Sequence, residues 1–182
     1  MPKKAGLIVY LGGLRSGKSR LAQDRLAQEM KARKLAAPAY LATLLTAKAG
    51  KDASLKQRVA SHQAMRPKAW ATVEVGAQLE ASAQACTAKG FDAWLLDGAG
   101  AWVALRLEQS EETVLGEWER FLALARKTSL TVVVLDEVGL GGVAAHPAAR
   151  RFADLNGKIN QRACAEADEV YGVQAGLTQR LK

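Results

Sequence analysis

The sequence predicts an α/β domain with a mostly parallel sheet flanked by helices. Short apolar runs rich in β-forming residues recur along the chain, as expected for strands that are covered on both faces. Stretches of helical composition separate these runs, and such alternation is typical of α/β folds. No linker-like segment or repeat array interrupts the 182 residues, which predicts one domain over 1–182.

The first predicted strand, loop and helix follow one another directly. Leu7 to Leu11 is wholly apolar and predicts a buried strand, which a glycine-rich loop follows at once. From Lys18 to about Lys34, Ala22, Leu26 and Met30 recur at four-residue steps. This spacing predicts a helix with one apolar stripe facing the sheet.

The later elements are predicted from the same signals. Strands are predicted at 39–43, 71–75, 93–97, 131–136 and 169–174, and helices at 53–64, 111–126 and 147–167. The strands at 93–97 and 131–136 each end in a carboxylate, Asp97 and Asp136. In a parallel sheet, both carboxylates then lie at the same edge.

Composition excludes several classes of protein. With 49% hydrophobic and 24% charged residues, the chain is neither disordered nor fibrous. Its apolar runs are far shorter than the roughly 20 residues that span a bilayer, so no membrane span is predicted. The basic start, Met1 to Lys4, lacks the apolar stretch of a signal peptide, which predicts a cytoplasmic protein. Cys86 and Cys164 have no metal-ligand spacing and are interpreted as small buried residues.

The net charge of +8 is compatible with nucleic acid, anionic surfaces or small phosphorylated ligands as partners. The four tryptophans are scattered and do not alternate with Lys or Arg as a base-stacking platform would. We therefore expect no nucleic-acid partner. A non-catalytic or nucleic-acid-binding protein remains the alternative from another class.

The loop after the first strand carries the strongest chemical signal. Residues 12–19 read GGLRSGKS and satisfy G-x-x-x-x-G-K-[ST] between a strand and a helix, the context in which this motif binds phosphate. Its backbone N–H groups would surround phosphate oxygens, Lys18 would reach the β and γ phosphates, and Ser19 would hold Mg²⁺. The predicted nucleotide-binding residues of the loop are Gly12, Gly13, Leu14, Arg15, Ser16, Gly17, Lys18 and Ser19.

A magnesium site of this kind commonly has a second ligand, a carboxylate at a neighbouring strand end. Asp97 and Asp136 both qualify, and either could equally cap the helix that follows it. We favour Asp97 as the metal ligand, with Asp136 and Glu137 facing the same crevice. The sequence leaves open whether Asp136 or Glu137 shares the metal or nucleotide role.

Two histidines occur, His62 and His146. His62 lies between Arg58 and Arg66, where a neutral imidazole can attack an electrophilic phosphorus while arginines neutralise the phosphate oxygens. Spacing alone nevertheless favours an ordinary surface histidine. Arg66 either clamps phosphate or anchors its loop, and we favour the clamp because it is near His62. His146 is interpreted as a loop residue.

Longer segments resemble the bifunctional adenosylcobinamide kinase / adenosylcobinamide-phosphate guanylyltransferase family of cobalamin assembly. The resemblance spans almost the whole chain. The H-x-x-x-R-P-x-x-W pattern that begins at His62 is more specific than the phosphate loop, which fits many families. The matching segments are GGLRSGKS at 12–19, YLAT at 40–43, RVASHQAMRPKAWATVE at 58–74, LLD at 95–97, EVGLG at 137–141 and GKINQRACAEADEV at 157–170.

The resemblance implies two reactions. A nucleoside triphosphate phosphorylates a hydroxyl of adenosylcobinamide, and GMP then passes from GTP through a guanylylated histidine to give adenosylcobinamide-GDP. It implies catalytic roles for His62, Lys18 and Arg66, Mg²⁺ on Ser19 and Asp97, and GTP and ATP as nucleotides. It also implies a RecA-like P-loop fold, a corrinoid as the small-molecule partner and a homotrimer.

The chain departs from the family's usual pattern around the expected corrinoid site. Gly98, Gly100 and Leu105 stand where the family usually carries Cys, Thr and Asn, and Ser54 lies in an element that is usually acidic. The phosphate loop and His62 are unaffected. A P-loop small-molecule kinase or NTPase without the guanylyltransferase step is the alternative within enzymes.

Overall fold

The computed structural model of the chain describes residues 6–43 and 66–182, together with residues 57, 60, 63 and 64. His62 and Ser54 lie outside these residues. So does most of the helix predicted at 53–64.

Among the described residues, seven strands form one sheet in the order β3-β2-β4-β5-β1-β6-β7. Neighbouring strands are parallel except for β6 and β7, which form an antiparallel pair at one edge. The predicted mostly parallel sheet is therefore confirmed. The strands are β1 (Leu7–Gly12), β2 (Pro38–Ala42), β3 (Ala71–Glu74), β4 (Ala93–Asp97), β5 (Leu130–Asp136), β6 (Glu169–Gln174) and β7 (Leu177–Arg180).

Helices cover both faces of this sheet. Those whose bounds lie in the described residues are α1 (Lys18–Arg33), α2 (Leu79–Ala88), α3 (Ala99–Ala104), α4 (Glu111–Ala125) and α5 (Pro147–Glu166). Each predicted strand, and each predicted helix apart from 53–64, is present with bounds within one residue of those expected. The sequence patterns missed α2, α3 and β7. Among the described residues, no helix is both long and apolar enough to span a membrane.

The apolar strands divide the core into two layers. On one face, Ile8 of β1 packs with Ala22 and Leu26 of α1, which confirms the predicted stripe on that helix. On the other face, the remaining helices pack against Leu7 and its neighbours. Side chains of successive strand residues point to opposite faces, so a strand that is apolar throughout is buried on both sides.

The layer on the same face as Leu7 is built around tryptophans. Trp118 lies 5.8 Å from Trp102 and 5.2 Å from Phe121 between ring centroids. Its indole Nε1–H donates to the carbonyl oxygen of Ile159 over 3.0 Å, so this buried polar atom is satisfied. Cys86 is buried in the same layer, and burial raises the pKa of its thiol to about 11.

The amino end of α2 is capped by a side chain from another helix. The carboxylate of Glu117 on α4 accepts hydrogen bonds from the backbone N–H of Leu79 over 3.1 Å and that of Glu80 over 3.4 Å. The same carboxylate forms an ion pair with Arg106. Glu117 is 7% exposed, so water cannot readily replace it.

Replacing Glu117 by alanine is expected to lower the free energy of unfolding by about 3 kcal/mol, because it leaves Arg106 and two helix-end donors without their buried partner. Urea unfolding measures this change. Glu119→Ala, on the same helix α4, is the matched control, since it removes an exposed ion pair with Arg162 of α5 and is expected to cost less than about 1 kcal/mol. Equal losses in the two variants would refute the capping role.

Candidate nucleotide-binding site

The glycine-rich loop lies at the carboxyl end of β1, between the ends of β5 and β6. Gly12, the last residue of β1, pairs with Asp136 on one side and Val173 on the other. A Cβ on Gly12 would collide with the carbonyl oxygen of Val173 and lie 2.9 Å from Ser16 Oγ. Gly17, the N-cap residue before α1, has a φ of 94°, which favours glycine. The close packing of the loop therefore requires both glycines.

The loop is held in shape by backbone hydrogen bonds. The N–H of Ser16 donates to Gly13 O over 3.3 Å, and the N–H of Gly176 donates to Ser16 O over 2.8 Å. The side chains of Leu14 and Arg15 are exposed, whereas Ser16 is buried. The β6–β7 turn thus supports the loop from behind, through a contact that no local pattern predicts.

Lys18 is held at the base of the loop. Its Nζ donates to Gly13 O over 3.0 Å and lies 2.9 Å from Asp136 Oδ1 in an ion pair. Lys18 is only 7% exposed. A buried ammonium requires such partners, and a triphosphate entering the loop would compete for them.

The structure brings Ser19 and Asp97 into contact, and their role as magnesium ligands remains a prediction. Ser19 Oγ donates to Asp97 Oδ1 over 2.8 Å, and the hydroxyl of Tyr40 donates to Asp97 Oδ2. Thr43 Oγ1 contacts the carbonyl oxygens of Asp97 over 2.8 Å and of Gly98 over 2.6 Å. Asp97 is 6% exposed, so its carboxylate is fixed by neighbours rather than by water.

A hydroxyl and a carboxylate in contact at a phosphate loop provide hard oxygen donors, which fit Mg²⁺. Ser19 and Asp97 are therefore suited to the ion in chemistry and in placement. Burial, followed by the nearby Asp97 carboxylate, raises the pKa of the Tyr40 hydroxyl. The Tyr40 hydroxyl therefore stays protonated near neutral pH and donates a hydrogen bond to Asp97.

Arg66 lies against the same group of residues. Its guanidinium carbon is 5.0 Å from the ring centroid of Tyr40, within the range of a cation–π contact. Arg66 thus reaches the site through Tyr40, although the two are 26 positions apart in the chain. Its role as a phosphate clamp remains a prediction.

Asp136, the last residue of β5, and Glu137, which follows it, contact the loop in different ways. Asp136 does so through its side chain, whereas the backbone N–H of Glu137 donates to Gly12 O over 2.9 Å. Two amides, Asn156 Nδ2 and Asn160 Nδ2, donate to the carbonyl oxygen of Asp136 over 2.7 and 2.9 Å. These contacts anchor the end of β5 from α5.

Sequence reasoning missed Tyr40, Thr43, Asn156 and Asn160 as contributors to the site. Tyr40 and Thr43 lie in the YLAT segment, and Asn160 in the GKINQ segment, so the family resemblance was the one signal that marked them. His146 forms the N-cap of α5, and its Nδ1 accepts from the N–H of Ala148 over 3.2 Å.

Replacing Tyr40 by phenylalanine is expected to raise the Mg²⁺ concentration needed for half-maximal GTP binding about tenfold. The change removes the hydroxyl that orients Asp97 but keeps the ring on which Arg66 packs, and such outer partners tune metal affinity about 10–100-fold. A Mg²⁺ titration of GTP binding measures the shift. Tyr171→Phe is the control, because its hydroxyl bonds Arg25 and Glu169 instead. An unchanged titration in Tyr40→Phe would contradict the prediction.

The fold and the loop together define the class: this is a P-loop protein with a nucleotide-binding fold. Comparison with known families identifies the particular one. Residues 8–181 match the model of the CobU family, described as cobinamide kinase / cobinamide phosphate guanyltransferase. The chain belongs to this family, as its motifs predicted.

Curated relatives agree with this assignment. The chain is 36% identical over 178 residues to the bifunctional adenosylcobalamin biosynthesis protein CobP of Pseudomonas aeruginosa, covering 96% of each chain. It is 30% identical over 191 residues to the bifunctional adenosylcobalamin biosynthesis protein CobU of Salmonella typhimurium, covering 97% of this chain and 99% of the relative.

Solved structures agree on the fold alone. The flagellar accessory protein FlaH of Methanocaldococcus jannaschii superposes with a TM-score of 0.56 at 17% identity, covering 98% of this chain and 79% of that protein. A KaiC-like protein of Pyrococcus horikoshii superposes with a TM-score of 0.51 at 15% identity, covering 97% and 76%. These neighbours confirm the expected fold, a mostly parallel sheet flanked by helices.

Proposed function

We propose that this protein phosphorylates adenosylcobinamide with a nucleoside triphosphate and then transfers GMP from GTP to the product, giving adenosylcobinamide-GDP in cobalamin assembly. The observation that carries the proposal is the pairing of Ser19 with Asp97 beside Lys18, in a chain that matches the family from residue 8 to residue 181. In both reactions, the loop would bind the phosphates of the nucleotide.

In the phosphorylation step, residues 12–19 bind the triphosphate. Their N–H groups and the amino end of α1 face the phosphate oxygens, and Lys18 exchanges its bond to Asp136 for oxygens of the β and γ phosphates. Ser19 and Asp97 would hold Mg²⁺, which neutralises charge on the phosphates when bound. Catalysis then depends on positioning and charge, as in other phosphoryl transfers.

In the guanylylation step, a ring nitrogen of His62 attacks the α-phosphorus of GTP. A P–N bond forms while the bond to pyrophosphate breaks. An oxygen of the cobinamide phosphate then attacks the same phosphorus, and the P–N bond breaks. Arg66 stands four residues after His62 and packs on Tyr40 beside Asp97, which supports a role in neutralising phosphate charge.

The family resemblance extends the proposal to partners and location. We infer a homotrimer in the cytoplasm that uses GTP and ATP, takes a corrinoid as its small-molecule partner and binds no nucleic acid. The fold supports nucleotide binding in general. The experiment below decides whether ATP or GTP is the phosphate donor in the phosphorylation step.

Incubation of the protein with adenosylcobinamide, Mg²⁺ and GTP, with or without ATP, tests the function. Mass spectrometry of the corrinoid is expected to show the phosphate first and the GDP derivative later. Formation of the phosphate alone would support the kinase without the guanylyltransferase step. An unmodified corrinoid in the presence of bound GTP would refute the proposed substrate.

A further inference from the structure

Arg15 lies in the phosphate loop with a backbone conformation that favours glycine. The N–H of Ser16 donates to Gly13 O over 3.3 Å and closes a turn in which Arg15 is the third residue. The φ of Arg15 is 58°, whereas Leu14 before it has no positive φ. This is the pattern of a type II turn, whose third position favours glycine because most side chains are strained there. An arginine at this position is therefore less favourable for the loop backbone than a glycine.

Two other described residues besides glycine have a positive φ, Lys34 at 59° and Ala175 at 51°. Lys34 is the C-cap of α1, and helices commonly end in this conformation. Ala175 and Gly176 form the two-residue turn between β6 and β7, which requires a positive φ at both positions. In the phosphate loop, the turn likewise requires the positive φ, but it does not require an arginine.

The contacts of the Arg15 side chain do not explain its presence either. Arg15 is exposed, and in the part of the chain that the structure describes its guanidinium forms no hydrogen bond or ion pair. Lys18, in contrast, is 7% exposed and is held by Gly13 O and Asp136 Oδ1. Residues 12–19 thus carry one buried cation at the base of the loop and one exposed cation on its outer side.

The outer side of the loop is where the terminal phosphate of a bound nucleotide meets a second substrate. The backbone N–H groups of the loop and the amino end of α1 surround the phosphates from within, so an acceptor hydroxyl has to approach from the open side. A guanidinium presents N–H donors in a planar fork that matches two oxygens of a phosphoryl group. Arg15 can bind these oxygens without giving up another partner among the described residues.

We propose that Arg15 binds the γ-phosphoryl group during its transfer and stabilises the charge that develops on its oxygens. The acceptor hydroxyl oxygen forms a bond to the γ-phosphorus while the bond from that phosphorus to the β–γ bridging oxygen breaks. The nucleoside diphosphate leaves with that electron pair, the hydroxyl proton is released to water, and Arg15 stays protonated throughout. This inference rests on the proposed function.

Arg15→Gly tests the inference, because glycine adopts the observed φ without strain and lacks the guanidinium. We expect the rate of cobinamide phosphate formation at saturating ATP or GTP to fall about 10²–10³-fold, as for loss of one group that stabilises developing charge. The melting temperature is expected to be unchanged or up to about 4 °C higher, since backbone strain is relieved. A residue that only supported the loop would lower both.

GTP affinity and the GMP adduct separate the γ-phosphoryl group from the rest of the nucleotide. In Arg15→Gly, both the dissociation constant for GTP and the rate of adduct formation are expected to stay within about threefold of wild type, because attack on the α-phosphorus does not use Arg15. Arg15→Asn is expected to lose as much phosphorylation as Arg15→Gly, since asparagine also tolerates a positive φ and is less flexible than glycine. Arg15→Lys keeps the charge without the fork and is expected to retain part of the rate.

Lys34→Gly is the matched control, because it removes an exposed cation with the same positive φ at the end of α1. Its phosphorylation rate is expected to remain that of wild type. A wild-type rate in Arg15→Gly would overturn the inference alone. A parallel loss of GTP binding or of the GMP adduct would overturn it by assigning Arg15 to the shape of the loop, and activity retained in Arg15→Asn would do so by assigning the loss to glycine flexibility. A wild-type protein that forms no cobinamide phosphate would refute the proposed function as well.

Discussion

The variant His62→Ala is expected to form no covalent GMP adduct with GTP and Mg²⁺, whereas the wild-type protein gains the mass of one GMP. The proposed function requires a P–N bond to this imidazole, and alanine has no nucleophile to form it. Intact-protein mass spectrometry measures the adduct, which is expected to be labile in acid and stable in alkali, as a phosphoramidate is.

His146→Ala is the matched control for this experiment. It removes the other histidine, whose Nδ1 caps α5, and is expected to retain the adduct in full. Phosphorylation of adenosylcobinamide is expected to continue in His62→Ala, because the loop is unaltered. A GMP adduct that persists in His62→Ala would show that another residue is guanylylated. No adduct on folded wild-type protein that binds GTP would favour the kinase alone.

Replacing Lys18 by alanine is expected to lower the rate of cobinamide phosphorylation by at least about 10²–10³-fold. Loss of one preorganised group that stabilises developing charge typically has this effect. In the structure, Lys18 is the buried cation at the base of the loop, 3.0 Å from Gly13 O. The initial rate of cobinamide phosphate formation at saturating corrinoid measures the loss.

Lys31→Ala provides the comparison, since it removes an exposed lysine from the last turn of the same helix. Its rate is expected to remain within twofold of wild type. Thermal melting of Lys18→Ala separates a catalytic loss from misfolding, because this change also leaves Asp136 without its partner. Similar rates in the two lysine variants would rule out the proposed role of the loop.

Most of the fold was predictable from local patterns. Buried parallel strands such as β4 are apolar along their whole length, and this signal needs no knowledge of neighbours. The elements that escaped prediction lack such a signal. Helix α3 has six residues and contains Gly100, and all four residues of β7 are exposed because it pairs at the sheet edge.

The candidate site likewise contains residues that the sequence predicts and residues that it does not. The phosphate loop was predictable because its residues are contiguous and its glycine and lysine spacing is dictated by phosphate geometry. The contacts of Tyr40 were not, because its hydroxyl meets Asp97 across 57 positions of sequence. No periodicity in the chain indicates which strand ends become neighbours.

By itself, the sequence determined the strand–loop–helix unit at residues 7–33, the identity of Lys18 and Ser19 as phosphate-loop residues, and the family to which the chain belongs. The tertiary structure alone decided that Asp97 is enclosed by Ser19 and Tyr40 while Asp136 pairs with Lys18. The physical reason is the strand order. Placing β5 between β1 and β4 brings both carboxylates to one edge of the sheet and gives each a different set of neighbours.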